Sequence, residues 1–99
     1  MSLSSVLETV TKRATHADPL GATLKFDLGE DGSIYLDGKG EENIVSESKE
    51  DADCVIQITK DNFEKLLSGE LNPMGAFMGG KIKVKGDMGI AMKLQSIIS

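Results

Sequence analysis

The sequence predicts an α+β fold, an α/β sandwich in which helices cover one face of a five-stranded sheet that is mixed and mostly antiparallel. The first observation is that several short segments alternate apolar and polar residues, which is typical of strands with one buried face. The second is that longer segments carry apolar residues at the spacing of an amphipathic helix. With 99 residues, the chain has room for one hydrophobic core, so residues 1–99 are expected to form a single domain.

The first segment predicts an amphipathic helix over residues 3–17, and Asp18-Pro19 ends it. Its two basic residues are few for binding to an anionic membrane, so packing on the domain is the preferred role for its apolar stripe. The stripe consists of Leu3, Val6, Leu7, Val10, Ala14 and Ala17.

Four strands are predicted after this helix, because apolar and polar residues alternate there between turn signals. They are predicted at residues 22–28, 33–37, 43–47 and 53–58. Asp31-Gly32 is a hairpin signal between the first two. In the fourth strand Cys54, Ile56 and Ile58 share one face, so we expect all three to point inward.

The remaining segment predicts a helix, a restarted short helix, a strand and a last helix. Asn72-Pro73 supplies an N-cap and a first helical residue within the helical residues 61–78. Residues 81–85 alternate lysines with Ile82 and Val84, which predicts a half-buried fifth strand. Asp87 is the predicted N-cap of the last helix.

The last helix, at residues 88–98, is apolar around most of its circumference. Such a helix is buried on several sides or faces another apolar surface. Four of the five methionines lie in two i, i+4 pairs between residues 74 and 92. Methionine suits adaptable apolar sites, although an ordinary core explains the pattern equally well.

Residues 68–95, SGELNPMGAFMGGKIKVKGDMGIAMKLQ, resemble the signature region of the sterol carrier protein type 2 (lipid-transfer) family, and the chain is compatible with that family from about Ala22 to Ile98. The resemblance implies a lipid-sized apolar tunnel beneath the helices. It also implies a non-catalytic carrier of fatty acids, sterols or fatty acyl-CoA.

Candidate lipid-binding residues follow from the expected inward faces around this tunnel. The sheet contributes Phe26, Leu28, Leu36 and Ile56, and the helices contribute Phe63, Leu67, Met74, Phe77, Met78, Ile90, Leu94 and Ile98. Gln95 is the one candidate for a polar head group, since no constellation of polar residues stands out.

Catalytic chemistry is not predicted. His16 ends the first helix, where a surface role suffices, and Cys54 is expected to act as a small core residue. The acidic residues lie in loops without calcium-loop spacing, and the glycines do not follow a phosphate-binding order. We therefore expect no enzyme activity, no metal site and no cofactor.

Composition excludes other classes of function. The net charge of −5 argues against nucleic acid as a partner. No apolar run is long enough to span a membrane, and neither a signal peptide nor a peroxisomal C-terminal signal is recognisable. A cytoplasmic location is the resulting expectation.

Two functional hypotheses remain open at this stage. The first is a lipid carrier, monomeric or weakly dimeric, that touches membranes transiently while moving lipid between membranes or enzymes. The second is an accessory domain that docks a partner protein on its methionine-rich apolar surface. Lipid that copurifies from cells would distinguish the carrier from the docking domain.

Overall fold

The computed structural model describes residues 3–98, apart from the side chains of residues 95, 96 and 98. The helices are α1 (Leu3–Thr15), α2 (Lys60–Ser68), α3 (Pro73–Met78) and α4 (Met88–Ile98). The strands are β1 (Thr23–Asp27), β2 (Ser33–Asp37), β3 (Ile44–Glu47), β4 (Cys54–Gln57) and β5 (Lys83–Gly86). The five-stranded α+β fold is therefore confirmed.

The sheet has the order β3-β2-β1-β4-β5, and only the central pair, β1 with β4, is parallel. Its register places inward-facing residues in rows across the strands. One such row runs Ile34, Phe26, Ile56, Val84. This row explains the alternating pattern, because a shift of one residue would turn every apolar side chain in a strand towards water.

Most predicted boundaries hold to within two residues. The predicted hairpin turn contains a short 3-10 segment, Gly29–Asp31, before Gly32. Helix α2 ends at Ser68 because Gly69 adopts a left-handed conformation with φ of 85°, which glycine alone reaches at little cost. The predicted N-cap is confirmed, since Asn72 Oδ1 accepts hydrogen bonds from the N–H groups of Met74 and Gly75 at 2.9 and 3.2 Å.

Helix α1 packs on β3 and against α4, and α4 packs on β4 and β5. Val6, Val10 and Ala14 of α1 are fully buried, so its apolar stripe packs on the domain as predicted. Buried Asn43 holds the end of this helix in place. Its side chain accepts from Leu20 N–H at 2.8 Å and donates to the carbonyl oxygens of Ala14 and Asp18, both at 3.0 Å.

The orientation of α3 differs from the sequence prediction. Ala76 is its buried residue, whereas Met78, predicted to line the interior, is 80% exposed. The reason is the path of the following segment: the backbone N–H groups of Lys81 and Ile82 both donate to the Ala76 carbonyl oxygen, at 2.8 and 3.3 Å. The returning chain therefore covers the Ala76 side of α3 and leaves Met78 in water.

Candidate ligand-binding cavity

An apolar cavity of about 270 Å³ lies between the sheet and helices α2, α3 and α4. Every described residue that lines it is apolar, and none has a nitrogen or oxygen in its side chain. The lining consists of Phe26, Ile56, Ile58, Phe63, Leu66, Pro73, Met74, Phe77, Ile82, Val84, Met88, Ala91, Met92 and Leu94. A site of this composition selects hydrocarbon, because a polar ligand group placed inside it would lose its hydrogen bonds to water.

The floor of the cavity consists of buried side chains. Phe26 of β1 and Phe63 of α2 are both buried and stack with ring centroids 4.5 Å apart and an interplanar angle of 30°. Ile56 of β4 lies beside Phe26 in the parallel register, and Ile58 is buried just past the end of the same strand. The floor is thus part of the hydrophobic core, where side chains are closely packed.

The mouth of the cavity is lined by exposed side chains, most of them methionines. Met74 and Phe77 of α3 stand 49% and 42% exposed, and Met88 and Met92 of α4 stand 46% and 62% exposed, although all four also line the cavity. Unbranched methionine has three rotatable side-chain bonds and a polarisable sulfur. The opening can therefore adapt its shape while the floor stays fixed.

Backbone contacts to Asp53 fix where α4 begins. Gly86 has φ of 97°, and a Cβ at this position would lie 2.4 Å from the Asp53 carbonyl oxygen, so glycine is required. Asp87 N–H donates to that carbonyl at 3.3 Å, and Asp87 Oδ1 accepts from Gly89 N–H at 2.8 Å. The predicted role of Asp87 at the start of α4 is thereby confirmed, and Met88 is placed at the mouth.

Six of the candidate lipid-binding residues lie together in this cavity: Phe26, Ile56, Phe63, Met74, Phe77 and Leu94. Their contact with lipid stays a prediction. Ile98 and Gln95 have side chains outside the described residues.

Five candidates do not line the cavity. Leu36 belongs to β2, whereas the cavity covers only β1, β4 and β5. Leu28 borders a separate shallow groove instead. Leu67 and Ile90 are buried in the core away from the lining, and Met78 is exposed. Each was chosen because it lies on the apolar face of a predicted strand or helix, a property that lining residues and ordinary core residues share.

Several lining residues were missed by the sequence prediction. Ile58, Ile82 and Val84 have the same inward parity along β4 and β5 as Ile56, so the strand alternation could have found them. The methionine pair Met88 and Met92 stood out in the sequence as well. The other missed residues are Leu66, Pro73 and Ala91. For these three no sequence signal separates a cavity position from an ordinary core position.

The described residues hold no arrangement of groups suited to catalysis in or beside the cavity. Cys54 is buried, and burial raises the pKa of its thiol, with the charge of Asp87 raising it further. Such a thiol is a poor nucleophile. His16 is exposed at the end of α1, where its Nδ1 lies 2.7 Å from the Lys12 carbonyl oxygen. Across residues 3–98, no three His, Cys, Asp or Glu side chains are grouped to hold a metal ion.

Within the described part of the chain, no helix has both the length and the apolar character needed to cross a membrane.

The fold and the cavity define a small α+β domain that encloses an apolar, ligand-sized space beneath its helices. The chain belongs to the SCP-2 sterol transfer family, whose model matches residues 3–99. The family resemblance seen in the sequence is thereby confirmed.

Relatives of this chain include longer proteins. Hydroxysteroid dehydrogenase-like protein 2 of Pongo abelii is 42% identical over 82 residues, which are 79% of this chain and 20% of that protein. Sterol carrier protein 2 of Homo sapiens is 39% identical over 70 residues, which are 70% of this chain and 13% of that protein. The chain thus spans a fifth or less of the length of these curated relatives.

Among solved structures, the chain is similar to sterol carrier protein 2 of Aedes aegypti in complex with palmitate, a C16 fatty acid. The TM-score is 0.75 at 24% sequence identity, and the match covers 100% of this chain and 97% of the other. This likeness shows a shared fold.

Proposed function

We propose that this domain is a non-catalytic lipid carrier that binds the hydrocarbon part of a fatty acid, a sterol or a fatty acyl-CoA in the cavity. The observation that carries the proposal is the lining, which is apolar at every described position and whose exposed members lie on α3 and α4. Membership of the SCP-2 sterol transfer family supports it. So does the palmitate held by the Aedes aegypti protein of the same fold.

The size of the cavity favours a flexible chain that is partly inserted. Its volume of about 270 Å³ lies just below the range of about 300–1,000 Å³ that is usual for ligand sites. Burial of about ten methylenes contributes about 8 kcal/mol before ordering costs. Because association costs are subtracted from this figure, the Kd is expected to be weaker than the value of about 1 μM that 8 kcal/mol alone would give. A longer lipid is expected to extend through the mouth or to displace the methionines.

A second function is favoured by the exposed mouth and by the length of the relatives. Four large apolar side chains stand half exposed there, and the curated relatives are several times longer than this chain. An accessory domain could use this surface to receive a partner protein or to present lipid to one. Denaturing mass spectrometry of the purified protein distinguishes the two, because a carrier brings lipid from the cell and a pure docking domain does not.

A cavity-filling substitution tests the carrier directly. Ala91 is half buried and lines the cavity, so Ala91→Trp is expected to place an indole where the lipid lies and to abolish displacement of a fluorescent fatty acid. Lys93→Trp is the matched control, because Lys93 is exposed on the same helix and does not line the cavity. Equal fatty acid binding by both variants would mean that the lipid does not bind in this cavity.

A further inference from the structure

A second space adjoins the apolar cavity and differs from it in chemistry. It is a groove of about 310 Å³ at the ends of β1 and β4, where these parallel strands run into the segments that follow them. Ile58 lines both spaces, so the groove and the cavity share a wall. The described residues that line the groove are Asp27, Leu28, Gly29, Gln57, Ile58, Thr59, Gly80, Lys81 and Lys83.

The strand register explains why this groove is polar. Asp27 pairs with Gln57, and Gln57 pairs with Lys83, so the three residues form a row across β1, β4 and β5. They alternate along their strands with residues that line the cavity, and they therefore point to the face of the sheet that the helices leave open. The groove thus runs round the end of the sheet, from this open face to Ile58.

Hydrogen-bond donors predominate among the polar side chains of the groove. Lys81 and Lys83 are exposed, and within the described part of the chain neither forms an ion pair with a carboxylate. The Gln57 amide is also a donor. The Thr59 hydroxyl can donate its hydrogen as well, because the bond from Asn62 N–H, at 3.2 Å, uses only a lone pair of its oxygen. Such a set of donors suits a negatively charged group that accepts several hydrogen bonds.

The groove is less suited to a cation. Asp27 is the only carboxylate among its described lining residues, and its Oδ1 already accepts from Gly29 N–H at 3.0 Å. A calcium or magnesium ion takes about six or more oxygen ligands, and the two lysines would repel it. A phosphate matches the groove better, because its oxygens accept hydrogen bonds and lysine binds it as a point charge.

A short ridge of chain separates the groove from the mouth of the cavity. Phe77 and Ile82 line the cavity, and Gly80 and Lys81, which lie between them in the chain, line the groove. Gly80 has no side chain, and a Cβ placed there would meet no atom within 4 Å apart from its chain neighbours. A ligand with its hydrocarbon in the cavity can therefore reach the groove by crossing the ridge at Gly80.

We propose that this groove binds the phosphate-bearing head group of a lipid whose hydrocarbon chain lies in the cavity. The proposal deepens the carrier function and rests on it. Of the three ligands considered there, only a fatty acyl-CoA carries phosphates, and a flexible polar arm joins them to the acyl chain. That arm crosses the ridge, and Lys81 and Lys83 contact the phosphates. The groove thus selects the acyl-CoA over the free fatty acid and the sterol.

Displacement of a fluorescent fatty acid by palmitate and by palmitoyl-CoA tests the proposal. The unaltered protein should bind palmitoyl-CoA about tenfold or more tightly than palmitate, because only the former reaches the lysines. Lys81→Gln/Lys83→Gln should remove this preference and change the affinity for palmitate less than about twofold. Lys85→Gln/Lys49→Gln is the matched control, since it makes the same change in net charge at exposed lysines that do not line the groove. The control should keep the preference.

Coenzyme A without an acyl chain distinguishes a lipid head group from a free phosphate compound. It should bind about a hundredfold or more weakly than palmitoyl-CoA, because it gains nothing from the cavity. The location is checked by NMR: the backbone amide signals of Thr59 and Gly80 should shift with palmitoyl-CoA and much less with palmitate. Coenzyme A that binds as tightly as palmitoyl-CoA would mean that the groove serves a free nucleotide, which overturns the proposal.

The remaining outcomes separate this proposal from the carrier function. Palmitate that binds normally, with a palmitoyl-CoA affinity that is the same in the test and control variants, would overturn the head-group site and leave the carrier function standing. A protein that binds neither the fluorescent fatty acid nor palmitate would overturn the carrier function, and the head-group site with it.

Discussion

Thr23 and Asp53 exchange three hydrogen bonds where the parallel strands β1 and β4 begin. Thr23 donates to Asp53 Oδ2 from its backbone N–H at 3.2 Å and from its hydroxyl at 3.1 Å, and Asp53 N–H donates to Thr23 Oγ1 at 2.9 Å. The Asp53 carbonyl oxygen also accepts from Asp87 N–H, so the same residue connects the central strands to the start of α4. The pair therefore helps to position one wall of the cavity.

The Thr23–Asp53 pair makes stability depend on pH in the acid range. The hydrogen bond from the Thr23 backbone N–H, and then that from its hydroxyl, lower the pKa of the Asp53 carboxyl below its usual value. A group with a lowered pKa in the folded state stabilises the fold above its unfolded pKa of about 3.9 and loses this contribution as the pH falls through the folded pKa.

We therefore expect Asp53→Asn to be less stable than the unaltered protein at pH 7 and nearly equal to it at pH 2.5. Urea unfolding at the two pH values measures this. Asp51→Asn, in the neighbouring exposed loop, is the control. A stability difference between Asp53→Asn and the unaltered protein that is the same at both pH values would contradict the prediction.

The lining predicts broad ligand selectivity. No described lining residue has a side-chain nitrogen or oxygen to fix a head group, and methionines at the mouth adapt to different shapes. Affinities for fatty acids of different chain length and for sterols, measured by displacement of one fluorescent probe, should fall within about tenfold, which is about 1.4 kcal/mol. A thousandfold preference for one ligand would mean that a specific polar contact exists.

Oxidation of the methionines at the mouth of the cavity should weaken lipid binding. A sulfoxide turns the apolar methionine side chain into a polar one, and Met74, Met88 and Met92 are exposed enough to react. We expect mild peroxide treatment to lower fatty acid affinity several-fold. Replacement of all three by leucine should remove the sensitivity. Cys54 is buried with a raised thiol pKa and should stay unmodified, which intact mass analysis can check.

Introducing a carboxylate should destabilise the protein much more at a buried position than at an exposed one. Leu94 is 4% exposed and lines the cavity, so Leu94→Asp is expected to cost on the order of 3–5 kcal/mol and to abolish fatty acid binding. Lys83→Asp, on the exposed face of β5, should change stability by about 0.5 kcal/mol or less. Thermal melting of the two variants measures the contrast, and equal melting temperatures would mean that the faces of α4 are wrongly assigned.

Helix α4 is expected to act as the lid of the cavity. Met88, Ala91, Met92 and Leu94 form much of the lining, and two of these four stand exposed at the mouth. Bound fatty acid should therefore raise protection from hydrogen exchange most at residues 88–98, and little around Leu24 in the centre of the sheet. Protection gained by α1 instead, with α4 already slow to exchange in the empty protein, would place the entrance elsewhere.

The sheet could be predicted from the sequence because strand alternation reports burial directly. Leu24, Phe26, Ile34 and Leu36 all face the core as their parity predicts. Alternation does not report which strands lie beneath which helices. For this reason Leu36 was predicted at the site, although β2 lies outside it. The position of β2 relative to the cavity depends on the order of the strands in the sheet, which alternation does not reveal.

The faces of α3 and α4 could not be predicted for a different reason. Helix α3 has six residues, too few for a periodicity to emerge, and its burial is decided by the chain that returns over Ala76. Helix α4 is apolar on nearly every side, so spacing could not separate Ile90, which packs in the core, from Met92 at the mouth. Periodicity locates a buried face only where the opposite face is polar.

The single parallel pairing, β1 with β4, has a consequence for how the molecule assembles. Strands β1, β2 and β3 are joined by short connections and can pair locally, whereas β1 and β4 meet only after the intervening chain has closed. Pairings between distant segments form more slowly than local ones, so this junction is expected to form late. Phe26 and Ile56 lie side by side across this junction and form part of the floor of the cavity. A hydrocarbon chain lying across them adds contacts to this junction only after it has formed, so bound lipid should slow unfolding.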